Sequence, residues 1–420
     1  MKISQKAKSF KLLAPAGDWE CLRAAVQAGA NCVYLGISNF NMRSTGAKNF
    51  EIKDLKKISK YCQSNNVETY LTVNTVLYNS DLKKMQKIIK SAKDADFNGV
   101  IVSDFAAIQY AQEIKMPMCI STQLSVSNIE SVRFFSKYSD RIILARELNL
   151  EQIKEIVEQI KKESITGPNE KLVEIEIFGH GALCVAVSGR CNMSLYCYNS
   201  SANRGECTQV CRRAYKVEDL ETGQELKIDN NYIMSPKDLC TIGFLDKIID
   251  SGVKVLKIEG RGRPPEYVDT VIRAYRKAID AIEKETYSKK LIKELNKELE
   301  TVFNRELSTG LYMGRNYDEW AKGPGNQAKT KRVFVGKVLH YFSKKKIALI
   351  EITANVKLKE GEECLITGKT TGLLRFKLDN MVINDKVVKT AEQKEQFTIK
   401  VPQKVRKNDN VFLNKTSQNF

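Results

Sequence analysis

The sequence predicts an α/β fold: a (β/α)8 TIM-type barrel with a cysteine-rich insertion before its last strand, plus a small C-terminal β-barrel domain. Three observations carry this expectation. Eight short apolar, β-rich runs alternate with helical patterns. Polar or charged residues stand at or just past the C-terminal end of most runs. A long excursion rich in cysteine separates the seventh run from the eighth.

The runs are, in order, "KLLAPAG", "NCVYLGI", "VETYLTV", "GVIVSD", "MCISTQ", "RIILARE", "VEIEIFGHG" and "VLKIEGR". Between them, "DWECLRAAVQAG", "EIKDLKKISKYCQS", "SDLKKMQKIIKSAKD", "IESVRFFSKYS" and "NLEQIKEIVEQIKKE" repeat apolar residues at helical spacing. Such alternation produces βα units and a parallel sheet. Eight units suit a closed barrel, with a doubly wound sheet as the alternative. Asp104, Gln123, Arg146, Glu147, His180, Glu259 and Arg261 follow the runs. In a barrel these positions converge on one mouth, where chemistry is placed.

The seventh run ends near His180 and the eighth begins about Val255, so the insertion spans about 181–254 and leaves from that mouth. Long loops inside compact domains are usually functional. After the eighth run, "PEYVDTVIRAYRKAIDAIEKE" and "KKLIKELNKELETVFNRELSTG" read as two amphipathic helices, with Gly310 closing the second. The barrel domain therefore covers 1–322, and "AKGPGNQAKT" supplies a linker at 323–330. The segment 331–420 has short strand patterns with Gly, Asn and Asp turns.

Charge is uneven. The chain carries a net +18, and 331–420 holds 19 Lys/Arg against 9 Asp/Glu, or +10. Clustered cations on one module are either a solvated face or the footprint of a polyanion partner. No stretch reaches the roughly 18–20 apolar residues of a membrane span. The N-terminus, with no long apolar run or small-residue cleavage site, points to a cytoplasmic protein without membrane contact. In that compartment thiols stay reduced, so the eleven cysteines are not a disulfide framework. Cys21, Cys32, Cys62, Cys119 and Cys364 lie among apolar neighbours and read as small core residues.

The other six cysteines lie between Cys184 and Cys240, spaced C-x6-C from Cys184 to Cys191, then x15 to Cys207, x3 to Cys211 and x28 to Cys240. Structural zinc uses two tight knuckles, and only Cys207/Cys211 makes one. An iron–sulfur cluster needs four thiolates and accepts looser spacing. A nucleophilic cysteine needs a base. His180 is the single histidine of the barrel, and His340 lies in the tail. The spacing favours iron–sulfur, with zinc and inert or nucleophilic thiols as alternatives.

"EIFGHGALCVAVSGRCNMS", together with "LLAPAGDWECLRAAVQAGANCVYLG", "ISTQLSVSN", "RGECTQVCRRAY", "MSPKDLC" and "VLKIEGRGRPPEYVDTVIRAYR", resembles the collagenase-like peptidase family U-32 from about Lys11 to Gly323. "VFVGKV" resembles the start of that family's C-terminal barrel. The family label implies proteolysis. Better-understood branches imply oxygen-independent hydroxylation with a [4Fe–4S] cluster. One acts on wobble uridine of tRNA with prephenate as hydroxyl source and co-substrate, another on a cytidine of 23S ribosomal RNA, and a third in anaerobic ubiquinone synthesis. This chain is most similar to the tRNA branch. The resemblance implies Cys184, Cys191, Cys207 and Cys240 as ligands; Cys211 matches a ligand position in a sister protein, so the fourth thiolate stays open. Cys197 matches none and reads as core or as support. The implied partner is tRNA, and a homologous partner subunit is left open.

The remaining candidates follow from chemistry. Lys257 and Glu259 alternate onto one face of the eighth strand and point inward, either as an ion-paired structural feature or as a substrate-binding lysine with a proton-handling glutamate. His180 and Glu147 are further acid–base candidates. Arg204, Arg212 and Arg213, interleaved with the cysteines, suit bidentate contacts to carboxylates or phosphates, or ordinary loop salt bridges. Gln123, Arg146 and Arg261 complete the expected substrate-binding set.

Overall fold

The structure, a computed structural model, describes residues 2–37, 40–216, 218–223, 232–314 and 319–416. Each of the eight apolar runs forms a parallel strand: β1 Lys11–Ala16, β2 Cys32–Gly36, β3 Glu68–Val73, β4 Gly99–Val102, β5 Met118–Ile120, β6 Arg141–Ile143, β7 Glu174–Gly181 and, after a short extra strand β8 (Asp238–Cys240), β9 Val255–Ile258. Neighbours pair in chain order from β1 to β7. β9 closes the ring, because Val255 is in register with Lys11 of β1 and with Glu176 of β7. Closure rules out the doubly wound alternative.

The outer helices among the described residues begin where short polar side chains cap them. Asp18 accepts from the Cys21 amide at the start of α2 (Trp19–Gln27), after the short α1 (Ile3–Lys8). α3 (Leu55–Gln63) and α4 (Leu82–Lys93) bury one apolar face each. Asp104 caps α5 (Phe105–Glu113) and accepts from the Leu77 amide, so this strand-end residue serves the backbone. Asn128 caps α6 (Ile129–Ser136), and Asn149 with Gln152 forms a capping box on α7 (Leu150–Lys162). Charges at the opposite end of the barrel pair with each other: Lys11 lies 2.7 Å from Glu68, and Arg141 lies 3.0 Å from Glu174.

Two expectations need correction. The excursion between β7 and β9 ends in ordinary barrel structure. β8 pairs antiparallel with the end of β7, and α9 (Leu245–Ser251), which follows a short helix α8 (Met193–Tyr198), packs before β9. The helix α10 (Pro265–Glu283) is as expected, but α11 (Lys289–Leu299) stops well before Gly310. Beyond its end the Asn304 side-chain amide donates to the Val302 and Glu300 carbonyls, and Leu307–Ser308 forms β10 beside β8.

The C-terminal region forms a separate β unit. It is an antiparallel sheet ordered β15-β14-β20-β11-β12-β19-β16-β17, with a separate β13–β18 pair. The strands are β11 Thr330–Phe342, β12 Ile347–Ile352, β13 Leu358–Lys359, β14 Glu363–Gly368, β15 Gly372–Lys377, β16 Met381–Ile383, β17 Lys386–Val388, β18 Thr390–Ala391, β19 Gln396–Lys400 and β20 Asn410–Thr416. The sheet encloses a core of its own around Val335, Ile350, Phe397 and Leu413, as expected of a separate small β domain, and among the described residues its end strands β15 and β17 do not pair with each other. The register of β11 shifts at Gly336, where a Cβ would stand 1.8 Å from the Glu351 carbonyl oxygen. The sheet docks on α2 and α10: Arg375 reaches Asp269 at 3.3 Å and Thr270 at 2.7 Å, Arg332 reaches Glu266 at 3.0 Å, and Ala24 packs on Leu365 and Leu373. Among the described residues, no helix is long and apolar enough to cross a membrane.

Candidate functional site

The C-terminal ends of the strands and the excursion after β7 enclose one cavity at the barrel mouth, about 1260 Å³ with its opening included. On its floor, Lys257 of β9 donates to Glu176 of β7 across 3.1 Å, both buried. The ammonium also lies 4.5 Å from the centre of the Tyr34 ring. Burial pushes the Lys257 pKa down, against the pull of Glu176. Parallel closure makes this pair, since Glu176 and Lys257 sit on adjacent strands with their side chains on the inner face.

Above the floor, Glu259 accepts from Arg43 through Nη2 at 2.8 Å and Nε at 3.2 Å. Burial favours the neutral acid, but Arg43, Arg263 and Arg146 outweigh it and hold the Glu259 pKa at about 2. Arg261 donates to Thr72 at 3.1 Å, and burial pushes its pKa down to about 10. Arg146 bonds the Ala182 carbonyl at 3.1 Å and lies over the Phe178 ring, while its buried Nε has no partner. Asn74 and Gln123 each turn a buried, unpartnered oxygen into this wall. Six cations line the cavity: Arg43, Arg146, Arg212, Lys257, Arg261 and Arg305. Against them stand Glu259, Glu176 behind Lys257 and Asp238 at 3.3 Å from Arg305, an excess of three positive charges. A small polycarboxylate or a phosphate suits this field.

Cys184, Cys191, Cys207 and Cys211 line the same cavity. Burial raises the Cys211 thiol; Arg212 opposes this, and the neighbouring thiols of Cys184, Cys207 and Cys191 add to the rise. Among the described residues, no three His, Cys, Asp or Glu side chains stand close enough to hold a single metal ion. The donor set is all sulfur, which suits an iron–sulfur cluster better than an oxygen-loving cation.

Several expected site residues lie elsewhere. Cys240 is buried, with its thiol at 3.7 Å from Asn296 and facing Tyr275, and burial pushes its pKa up to about 11. It does not line the cavity, because β8 turns it toward the helices; Cys211 lines the cavity in its place. His180 is also enclosed: Nδ1 lies 3.4 Å from the Tyr275 hydroxyl, and burial lowers its pKa to about 3. Glu147 is exposed outside the cavity, since the turn after β6 points it to solvent. Arg204 pairs with Asp81 at 2.8 Å and Arg213 bonds the Tyr198 hydroxyl; neither lines the cavity. Arg212 does line it, but its guanidinium also ties Ser235 and the Pro236 and Leu183 carbonyls together. Cys197 is exposed, whereas the five scattered cysteines are buried.

The model of peptidase family U32 matches residues 17–322. This chain belongs to the U32 family. It is 46% identical to a collagenase of Porphyromonas gingivalis over 96% of this chain and 97% of that protein. It is 34% identical to tRNA hydroxylation protein P1 of Bacillus subtilis over 80% and 78%. It is 33% identical to the 23S rRNA 5-hydroxycytidine C2501 synthase of Escherichia coli over 65% of this chain and 40% of that protein. U32 relatives are thus named both as RNA hydroxylation proteins and as a collagenase, and the collagenase-named relative has the higher identity of these three.

Three charged side chains in or behind the cavity wall of this U32 chain are not among the expected site residues. Glu176 stands at an inward position of β7, two residues before Phe178, and strand alternation was the signal that locates it. Arg43 and Arg305 come from loops far from the cysteines in sequence, and no local pattern announces them.

Proposed function

We propose that this chain is an iron–sulfur RNA hydroxylase that converts wobble uridine of tRNA to 5-hydroxyuridine without oxygen, with prephenate as hydroxyl source. The observation that carries the reading is the convergence of four cavity thiols and six cations on one barrel mouth. Cys184, Cys191, Cys207 and Cys211 would hold a [4Fe–4S] cluster. When bound, such a cluster supplies a Lewis acid or an electron-transfer centre.

The chain's own groups divide the rest. Arg146 and Arg261 are placed to hold carboxylates of a dianion. Arg43 is oriented by Glu259, whose pKa near 2 makes it a fixed anion and a poor base at neutral pH. Lys257, with its pKa lowered by burial, is the cavity group suited to hold or release a proton at Nζ. The names of the B. subtilis and E. coli relatives support RNA as substrate.

Peptidase chemistry is the second reading, favoured by the collagenase-named relative. It needs a base beside a thiol, and His180, buried against Tyr275, does not line the cavity. Anaerobic purification with iron and sulfide determination, followed by nucleoside analysis of tRNA from a deletion strain, separates the two. About four irons per chain, with 5-hydroxyuridine products restored by the wild-type gene and lost with Cys184→Ala, is expected. An iron-free protein that cleaves denatured collagen, and stops doing so as Cys184→Ala, would replace this reading with proteolysis.

A further inference from the structure

Around the cavity mouth, large apolar rings face solvent where burial would be the ordinary outcome. Tyr196 is 86% exposed, Tyr78 57% and Tyr198 49%. Two of them carry an arginine on the ring: the Arg204 guanidinium lies 4.0 Å from the Tyr78 centroid, and that of Arg213 lies 4.9 Å from Tyr198. Such stacking fixes the ring and leaves about half its surface open.

These rings belong to the rim by connectivity. Met193 and Ser194 of α8 form cavity wall, and Tyr196 and Tyr198 follow on the same short helix. Tyr78 sits on the loop after β3, which is tied to the insertion. The Val76 amide donates to Asn203, a wall residue, at 3.1 Å, and Arg204 bonds both the Val76 carbonyl and Asp81. Between 182 and 216 there are five Lys/Arg and one carboxylate, Glu206, while Arg204 is paired with Asp81 and Lys216 with Glu218.

Resting on the RNA reading above, we propose that Tyr78, Tyr196 and Tyr198, with Arg204 and Arg213, form a stacking platform for unpaired nucleobases. RNA is thus taken as a splayed single strand at the mouth and not as a duplex. Aromatic faces accept any unstacked base, and guanidinium groups meet the phosphates between them. The Arg213 guanidinium, which lies on the Tyr198 ring, complements a polyanion. The platform also accounts for access. A base inside a helix cannot reach the cavity floor, whereas a base held on the rim is already out of its stack.

The test uses the full chain, purified anaerobically, and fluorescence anisotropy with a 5′-labelled oligouridylate and a blunt RNA duplex as competitor. Wild-type protein is expected to prefer the single strand. Tyr196→Ala and Tyr78→Ala should each weaken it by about five- to hundredfold, while Tyr196→Phe stays near wild type, because stacking needs the ring and not the hydroxyl. Arg213→Gln should reduce the salt dependence by about one phosphate contact. Unchanged melting temperature identifies variants that fold; Tyr196 is exposed enough for its removal to leave the core intact. If wild-type protein binds the oligouridylate and both alanine variants bind within twofold of it, the platform is wrong and the RNA reading survives. If wild-type protein ignores RNA and binds labelled gelatin peptide, both fall.

Discussion

Lys257 and Glu176 form a buried ion pair across β9 and β7, 3.1 Å apart, at the floor of the cavity. Neither is paired with Glu259, the inward neighbour of Lys257 on its own strand, which is bound instead by Arg43.

Removing one partner leaves the other charge buried without its partner. Lys257→Met should destabilise the protein by ~3–5 kcal/mol, and Lys257→Met with Glu176→Leu by less than Lys257→Met alone. Urea titration of both variants and of Glu176→Leu gives the coupling. A double variant less stable than Lys257→Met would show that the pair is not the dominant partner of either residue.

Buried, neutral His180 makes stability pH-dependent. Its folded pKa, about 3, lies below the ordinary 6.5, so the unfolded chain binds the extra proton first as pH falls. Stability is therefore full above about pH 6.5 and is lost progressively as pH drops toward 3. His180→Gln should be less steep across that window when unfolding free energy is measured against pH. Equal slopes would mean that the imidazole is hydrated in the folded protein.

Cys211 lines the cavity with Cys184, Cys191 and Cys207, and Cys240 does not. On the proposed iron–sulfur reading, anaerobically purified Cys211→Ala should lose most of the iron that wild-type protein holds, whereas Cys240→Ala should keep a content near wild type. The reverse pattern would return Cys240 to the ligand set and require β8 to turn.

Gly17 follows β1 where the chain passes Arg261. A Cβ there would stand 1.9 Å from the Arg261 carbonyl oxygen, a backbone atom that cannot swing aside. Gly17→Ala should cost about 1–3 kcal/mol in thermal unfolding and displace Arg261 from Thr72. An unchanged melting temperature would mean that the end of β9 yields easily.

Much of this was legible in the chain itself. The eight strands were, because each apolar run and the helix after it are local patterns, read from side-chain period and capping residues such as Asp18 and Asn149. The grouping of Cys184, Cys191, Cys207 and Cys211 at a barrel mouth was legible too, since an insertion after β7 has to leave from there. Partner choice was not. Arg43 meets Glu259 and Arg305 meets Asp238 across more than sixty residues of chain, while Cys240 and His180 turn inward to Tyr275. Side-chain period fixes which face a residue takes within its own strand or helix. Which charge lies opposite it depends on ring closure and on the path of the loops, and these are settled by packing between segments that share no local pattern.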